Sequence, residues 1–298
     1  MAHRPCHEKL SEARPYRTRL HDAATLAAKG DPMFLAVDVG NTQTTLGLMD
    51  TGEVVVRWRL KTDRDDTADE LHARLRDFLE LRHLSLGCID ATAVASVVPT
   101  LTDMWQLALS DALDAEPYIV RGKSDCCMPI AMPYPEQVGA DRIANAVEAR
   151  DTYGSPAIVV DFGTATNIDV VDPSGSYRGG CIAPGLMLSA SALFSRAAKL
   201  ASTPIEVPPA PIGDTTEHAI QSGLVLGVAA QAEGLVARIK GQLASEASTS
   251  AGRAAVEACP VIATGGLSRV IGQATDVFDA IDMDLTLRGI WRIWGHHQ

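Results

Sequence analysis

The sequence predicts an α/β fold built as two matching lobes, each a mixed sheet flanked by helices. One short pattern occurs twice, as Val37-Asp38-Val39-Gly40-Asn41-Thr42 and as Val160-Asp161-Phe162-Gly163-Thr164-Ala165. Each copy closes an apolar, β-prone run (34–37 and 157–160). A second apolar run follows (46–49 and 168–171), then a Gly turn and a third β-like run. Two β-meanders of the same make in one chain point to a duplicated domain.

In order along the first half, apolar alternation predicts strands at 34–38, 45–50 and 53–61, a helix at 67–82, a strand at 89–97, a helix at 101–114 and a short strand at 117–120. A stretch with Pro129, Pro133 and Pro135 then precedes an amphipathic helix over 140–152, which leads into the second meander at 157–185. The lobe boundary is expected at about 145–155, giving lobes of 33–146 and 147–298. The second lobe continues with a helix over 186–200, a loop holding Pro204, Pro208, Pro209 and Pro211, and a long helix from Thr215 to Leu243. Asp214, Thr215 and Glu217 supply an N-cap for that helix, and Gly223, Gly227 and Ala230 give it a small-residue face suited to packing on its own lobe or on another subunit. A polar segment at 244–252 reads as loop or frayed helix; a strand at 261–263, Thr264-Gly265-Gly266, a short helix and a final helix over 287–294 complete the chain.

Composition narrows the function. With 298 residues, 46% hydrophobic, the chain can bury two moderate cores, and no stretch reads as long and apolar enough to span a membrane. A formal charge of −11 without a basic or aromatic stripe argues against nucleic acid, so an anionic small substrate must be drawn in by local groups. The cysteines Cys6, Cys88, Cys126, Cys127, Cys181 and Cys259 form no CxxC pair and the histidines no HxxxH, which speaks against structural zinc and for reduced thiols in the cytoplasm. Residues 1–32 lack the apolar segment of a secretory signal; the expectation is a disordered or upstream extension, with Met33 the natural start.

The chemistry concentrates in three places. At each Asp-x-Gly hairpin, glycine lets backbone approach a ligand, successive turn N–H groups favour an anion, and the Asp can hold a hydrated cation against it. A pair of such turns can grip one polyphosphate. Between the lobes, Gly139-Ala140-Asp141-Arg142 opens a helix whose positive N-terminus favours an ionised Asp141, a base at neutral pH, while Arg142 suits a substrate carboxylate. A plain helix-start salt bridge is the competing reading. Thr264-Gly265-Gly266 would let a nucleoside lie against bare backbone. Gly122-Lys123-Ser124 is not a P-loop end, because Pro117 holds the required upstream glycine position; no GxSxG elbow or dinucleotide fingerprint is present.

The twin Asp-x-Gly turns and the late Thr-Gly-Gly resemble the acetate kinase, sugar kinase, Hsp70 and actin superfamily. Asp-Val-Gly-Asn-Thr (38–42), Gly-Ala-Asp-Arg (139–142), Asp-Phe-Gly-Thr-Ala-Thr (161–166) and Gly-Gly-Cys-Ile-Ala-Pro-Gly (179–185), in that order, are similar to type III pantothenate kinase over about Met33 to Trp294. The resemblance implies a duplicated actin-like (ribonuclease H-like) two-lobed kinase fold. It also implies ATP-dependent phosphorylation of pantothenate to 4'-phosphopantothenate, the first step toward coenzyme A, by a homodimer needing Mg²⁺ and a monovalent cation, K⁺ or NH₄⁺.

Carried over by position, Asp38, Val39, Gly40, Asn41, Thr42, Gln43, Thr44, Thr45, Thr164, Gly265 and Gly266 would bind ATP. Asp38 would also meet Mg²⁺ through the phosphates, and Asp161 would serve the monovalent cation. Gly139, Ala140, Asp141 and Arg142 would line the pantothenate pocket with Asp141 as proton acceptor, completed by Thr216 across the dimer interface. Met132 stands where the family commonly has Tyr, with Tyr134 close by. A kinase of another small alcohol and a catalytically silent regulatory protein of the same fold are the alternatives; filament assembly does not suit so compact a chain.

Overall fold

A computed structural model describes residues 32–121, 127–196 and 202–298. The readings made for residues 1–31, for Cys126 and for Gly122-Lys123-Ser124 lie outside the described residues. The chain divides into two compact units. The first holds β1 (Met33–Val39), β2 (Gln43–Asp50), β3 (Glu53–Lys61), α1 (Ala68–Glu80), β4 (Ile89–Ser96), α2 (Pro99–Leu113) and β5 (Tyr118–Val120), with Pro133–Glu148 and Asp284–Gln298. The second holds Ile130–Met132 and Ala149–Met283. Helix α3 (Ala140–Tyr153) begins in the first unit and ends in the second.

The duplication is explicit in the topology. The first sheet runs β3-β2-β1-β4-β5. With β6 (Ala157–Phe162), β7 (Ala165–Val171), β8 (Tyr177–Pro184), β9 (Val261–Thr264) and β10 (Ala280–Ile281), the second runs β10-β9-β6-β7-β8, the same order read from the other edge. In both, three antiparallel strands adjoin two parallel ones. The registers also match. Asp38 lies between Thr45 and Ala95, and Asp161 between Asn167 and Thr264, each one residue before its strand ends.

In the first unit, Met33, Leu35, Val37 and Val39 form one face of β1 and pack with Leu71, Leu75 and Leu79 of α1 and Leu101, Trp105 and Leu109 of α2. Period two along the strand leaves Phe34, Ala36 and Asp38 on the other face. That face receives α8 (Leu285–Gly295), the last helix, although it follows the second meander in sequence: Trp294 meets Phe34 at 4.7 Å between ring centroids. Gly47 faces Leu287, where a Cβ would come within 2.7 Å of its Cδ1.

In the second unit, Ile158, Val160, Phe162 and Ile168 pack against Val225, Ala229, Ala232 and Val236 of α5 (Thr216–Glu246). Helix α5 contains a π-helical segment, Ser222–Leu226, and its N-cap is Thr215, which accepts from the His218 N–H at 3.0 Å. At 31 residues α5 is long and apolar enough by composition to cross a membrane, which corrects the sequence reading; the apolar face just described lies in the core of its unit. The remaining helices are α4 (Leu186–Arg196), α6 (Ser250–Glu257) and α7 (Ser268–Gly272). Helix α6 starts at the end of the segment read as loop or frayed helix (244–252) and runs on through residues given no element in the sequence reading. Thr249 caps it by accepting from the Gly252 N–H, and its one buried residue, Val256, packs with Leu243 and Val170.

Candidate active site

The first hairpin is tight because its backbone closes on itself. The Gly40 N–H donates to the Gln43 carbonyl at 3.1 Å, and a Cβ on Gly40 would come within 2.8 Å of that oxygen. Asn41, Thr42 and Gln43 are exposed, and Asp38 and Thr45 are half-buried. Val39 and Thr44 differ: Val39 is in the core and Thr44 is 1% exposed, its hydroxyl paired with that of Thr62 at 2.9 Å. Among the ATP residues read from sequence, those two have only backbone to offer.

A short series of contacts joins this hairpin to Asp141. The Val97 N–H donates to the Val39 carbonyl at 3.0 Å, extending the β1–β4 pairing past Ser96. A Cβ on Gly139 would lie 3.3 Å from Val97 Cγ1 and 2.5 Å from Asp141 Oδ1. Glycine at 139 therefore lets the start of α3 close onto the end of β4 with the carboxylate folded beside it. Asp141 Oδ1 accepts from the Arg142 N–H at 2.8 Å.

Burial pushes the Asp141 carboxyl above its ordinary value, and the bond from the Arg142 N–H and the Arg142 guanidinium pull only partly the other way. The helix start that the sequence reading invoked to favour an ionised Asp141 meets an opposing effect: desolvation outweighs the N–H bonds at the start of α3. A base with a raised pKa is better matched to proton abstraction near neutral pH.

Helix α3 is itself anchored by α8. Gly289 lies so close that a Cβ would fall 1.9 Å from the Ala144 carbonyl oxygen. The Thr286 hydroxyl donates to Asn145 Oδ1 at 2.7 Å, and the buried Glu148 accepts from Arg288 Nε at 2.9 Å and from Arg292. None of these polar anchors stood out in the sequence, where α8 reads only as a final helix over 287–294, far along the chain from α3.

The second hairpin repeats the first with different partners. The Gly163 N–H donates to the Ala165 carbonyl at 3.0 Å and the Gly185 N–H to the Thr164 carbonyl at 3.2 Å, so the end of β8 backs the turn. Gly265 has φ +86°, and its missing Cβ would sit 2.4 Å from Asp161 Oδ1. Its bare face thus receives the Asp161 carboxylate, whereas Gly266 faces open space. Thr164 is exposed. Met132 packs its sulfur 3.5 Å from the Cβ position of Gly179 in the second unit, while Tyr134 is 61% exposed. Thr216, also in the second unit, is exposed at the first position of α5.

The donors suit hard cations completed by a ligand. Each hairpin brings one carboxylate among backbone oxygens, and among the described residues no three His, Cys, Asp or Glu side chains gather into a metal cluster. A Cβ-free cradle beside Asp161, and a single Asp at the phosphate-binding type of turn, fit a cation that keeps waters and shares phosphate oxygens.

The family model for type III pantothenate kinase matches residues 34–238, a span containing both hairpins, Gly139 to Arg142 and Thr216. The chain belongs to the type III pantothenate kinase family. Type III pantothenate kinases similar to it include that of Thermomicrobium roseum, 42% identical over 87% of this chain and 95% of the relative, and that of Moorella thermoacetica, 40% identical over 87% and 97%. Two solved structures share the fold. They are a Campylobacter jejuni protein described as a Baf family transcriptional activator (TM-score 0.53, 17% identity, 88% and 98% of the two chains) and the activator of 2-hydroxyisocaproyl-CoA dehydratase from Clostridium difficile with bound ADPNP (TM-score 0.52, 12%, 89% and 97%). The actin-like α/β fold expected from sequence is the fold of this type III pantothenate kinase family member.

Proposed function

We infer that this chain transfers the γ-phosphoryl group of ATP to the primary hydroxyl of pantothenate, giving 4'-phosphopantothenate for coenzyme A synthesis. The observation that carries the reading is the family match over residues 34–238, within which Gly139 sets Asp141 beside Val97 at the end of β4, and Val97 pairs with Val39 where the first hairpin opens. ATP is the co-substrate and a divalent metal accompanies it. Kinase of a different alcohol and silent regulatory protein are not favoured, because the relatives that match nearly end to end are pantothenate kinases.

The residues are assigned as follows. Backbone of the first hairpin, with Asn41, Thr42, Gln43 and Thr45, is assigned to phosphate oxygens, and Thr164 of the second hairpin and Gly265 and Gly266 after β9 are also assigned to ATP. Asp38 would meet Mg²⁺ through the phosphates, where the ion would supply charge neutralisation, and Asp161 would hold a monovalent cation. Phosphoryl transfer has a loose transition state, so positioning and charge neutralisation carry most of the acceleration and the base acts late. Asp141 orients the pantothenate hydroxyl and takes its proton as the oxygen bonds to the γ-phosphorus and the bond to the bridging oxygen of ADP breaks. Arg142 is assigned to the substrate carboxylate and Met132 to an apolar part of the substrate.

A homodimer is supported by exposed apolar residues in the second unit: Ile182 at 68%, Met187 at 53% and Leu188 at 54%. They lie in β8 and α4, and α4 contacts the π-helical segment of α5, whose small residues Gly223 and Gly227 are exposed. Thr216 is assigned to the partner copy's pantothenate pocket. The same reading places the enzyme in the cytoplasm. Incubation with ATP and a panel of alcohols, with product masses recorded, tests the substrate: phosphorylation of pantothenate is expected, and phosphorylation only of another alcohol would overturn the reading.

A further inference from the structure

The first hairpin is covered on one side by the three residues that follow β3. Thr62 is 8% exposed and spans the turn: its hydroxyl donates to the Gly40 carbonyl at 2.8 Å, its N–H donates to the Thr42 carbonyl at 3.0 Å, and its hydroxyl also pairs with that of Thr44. This is a built attachment, since both a main-chain and a side-chain bond are satisfied within a buried site. Two residues on, Arg64 is exposed and donates from Nη2 to Asn41 Oδ1 at 3.2 Å.

Two of the neighbouring acids are engaged elsewhere. Asp63 Oδ1 accepts from the Asp65 N–H at 3.2 Å, and Asp66 pairs with Arg74 at 2.5 Å. The guanidinium is what this segment presents to Asn41 at the tip of the hairpin. Arginine carries five N–H donors in a planar fork, so one bond to Asn41 leaves others for oxygen ligands. A chain of net charge −11 binding a polyanion needs such local cations, and the hairpin itself contributes neutral amides and an acid.

We propose that Arg64 is a phosphate ligand of the nucleotide site, held over the first hairpin by the Thr62 attachment and donating charge-assisted hydrogen bonds to ATP. The proposal rests on the assignment of that hairpin to nucleotide phosphates. Its test does not require pantothenate turnover. ATP binding is measured by titration calorimetry on wild type, Arg64→Ala, Arg64→Lys, Asn41→Ala and the Arg64→Ala/Asn41→Ala double variant, with thermal melts recorded for each.

Loss of a charge-assisted phosphate contact weakens ATP roughly 10- to 100-fold in Arg64→Ala. Arg64→Lys recovers only part of that, and melting is unchanged because the side chain is exposed. In the Asn41→Ala background, Arg64→Ala still weakens ATP severalfold, since the guanidinium acts on the ligand and not only on Asn41. Unchanged ATP affinity in Arg64→Ala, or a loss that Asn41→Ala reproduces in full with no further loss in the double variant, overturns the proposal. Wild type that binds ATP but leaves pantothenate unphosphorylated contradicts the functional reading, with the role of Arg64 still read from the titrations.

Discussion

Arg288 donates to Glu148 at 2.9 Å, tying the last helix of the chain to α3, which carries Asp141 in its first turn. Glu148 is 1% exposed and also accepts from Arg292, whereas Arg288 and Arg292 keep 20% and 32% of their side-chain surface. The asymmetry sets the prediction. Removing both arginines takes two cationic partners from a buried carboxylate and should cost about 3–5 kcal/mol, whereas Glu148→Gln keeps the shape and leaves two cations that can reach water. Urea unfolding of the two variants should show the double arginine variant as much the weaker.

The Asp141 carboxyl has a dual signature with pH. With Asp141 as the proposed base, the acidic limb of kcat/KM should lie above the ordinary carboxylate range, because burial raises its pKa in the folded protein. Stability runs the other way. A group whose folded pKa exceeds its unfolded one favours folding while protonated, and that contribution is lost as pH rises through the folded pKa. Asp141→Asn should therefore melt higher than wild type at pH 7, with the gain vanishing in acid; a lower melting temperature at pH 7 would contradict the burial argument.

Gly265 and Gly266 should separate cleanly. Gly265 has positive φ and a Cβ there would meet Asp161, so Gly265→Ala should destabilise by about 1–3 kcal/mol and impair nucleotide binding together. Gly266 faces open space, and Gly266→Ala should leave stability within about 0.5 kcal/mol while raising KM for ATP, its site assignment being the reason. Thermal melts and ATP titrations distinguish the two patterns.

Met187 and Leu188 are exposed apolar residues at the start of α4. Sedimentation of the wild type should give a dimer, and Met187→Glu/Leu188→Glu should shift it toward monomer with loss of turnover. A wild type that sediments as a monomer at working concentration would remove the dimer and the Thr216 assignment with it.

Much of this was legible in the sequence for a definable reason. The meanders alternate with period two, and Asp-x-Gly marks where each first strand turns, so Asp38 and Asp161 can be placed at matching strand ends before any coordinates exist. The start of α3 at Ala140 likewise follows from its local signal. Long-range choices were not legible. Nothing in the pattern of α8 says that it returns to β1 and α3, and β10 is two residues long, too short for alternation to register. Gly265 carried a signal but an ambiguous one: glycine admits either a ligand or a neighbouring side chain, and here the neighbour is Asp161. Thr62 and Arg64 lie past a strand end in a polar run, where no periodicity marks them out.

The most direct test is pantothenate-dependent release of ADP by wild type and Asp141→Asn, each run in sodium and in potassium salt, with ATP binding titrated in parallel. Turnover in wild type, higher in potassium, with a loss of about a hundredfold or more in Asp141→Asn at nearly unchanged ATP affinity, is the predicted result. Near-normal turnover in Asp141→Asn, or no pantothenate-dependent ADP in either salt from wild type, would contradict it.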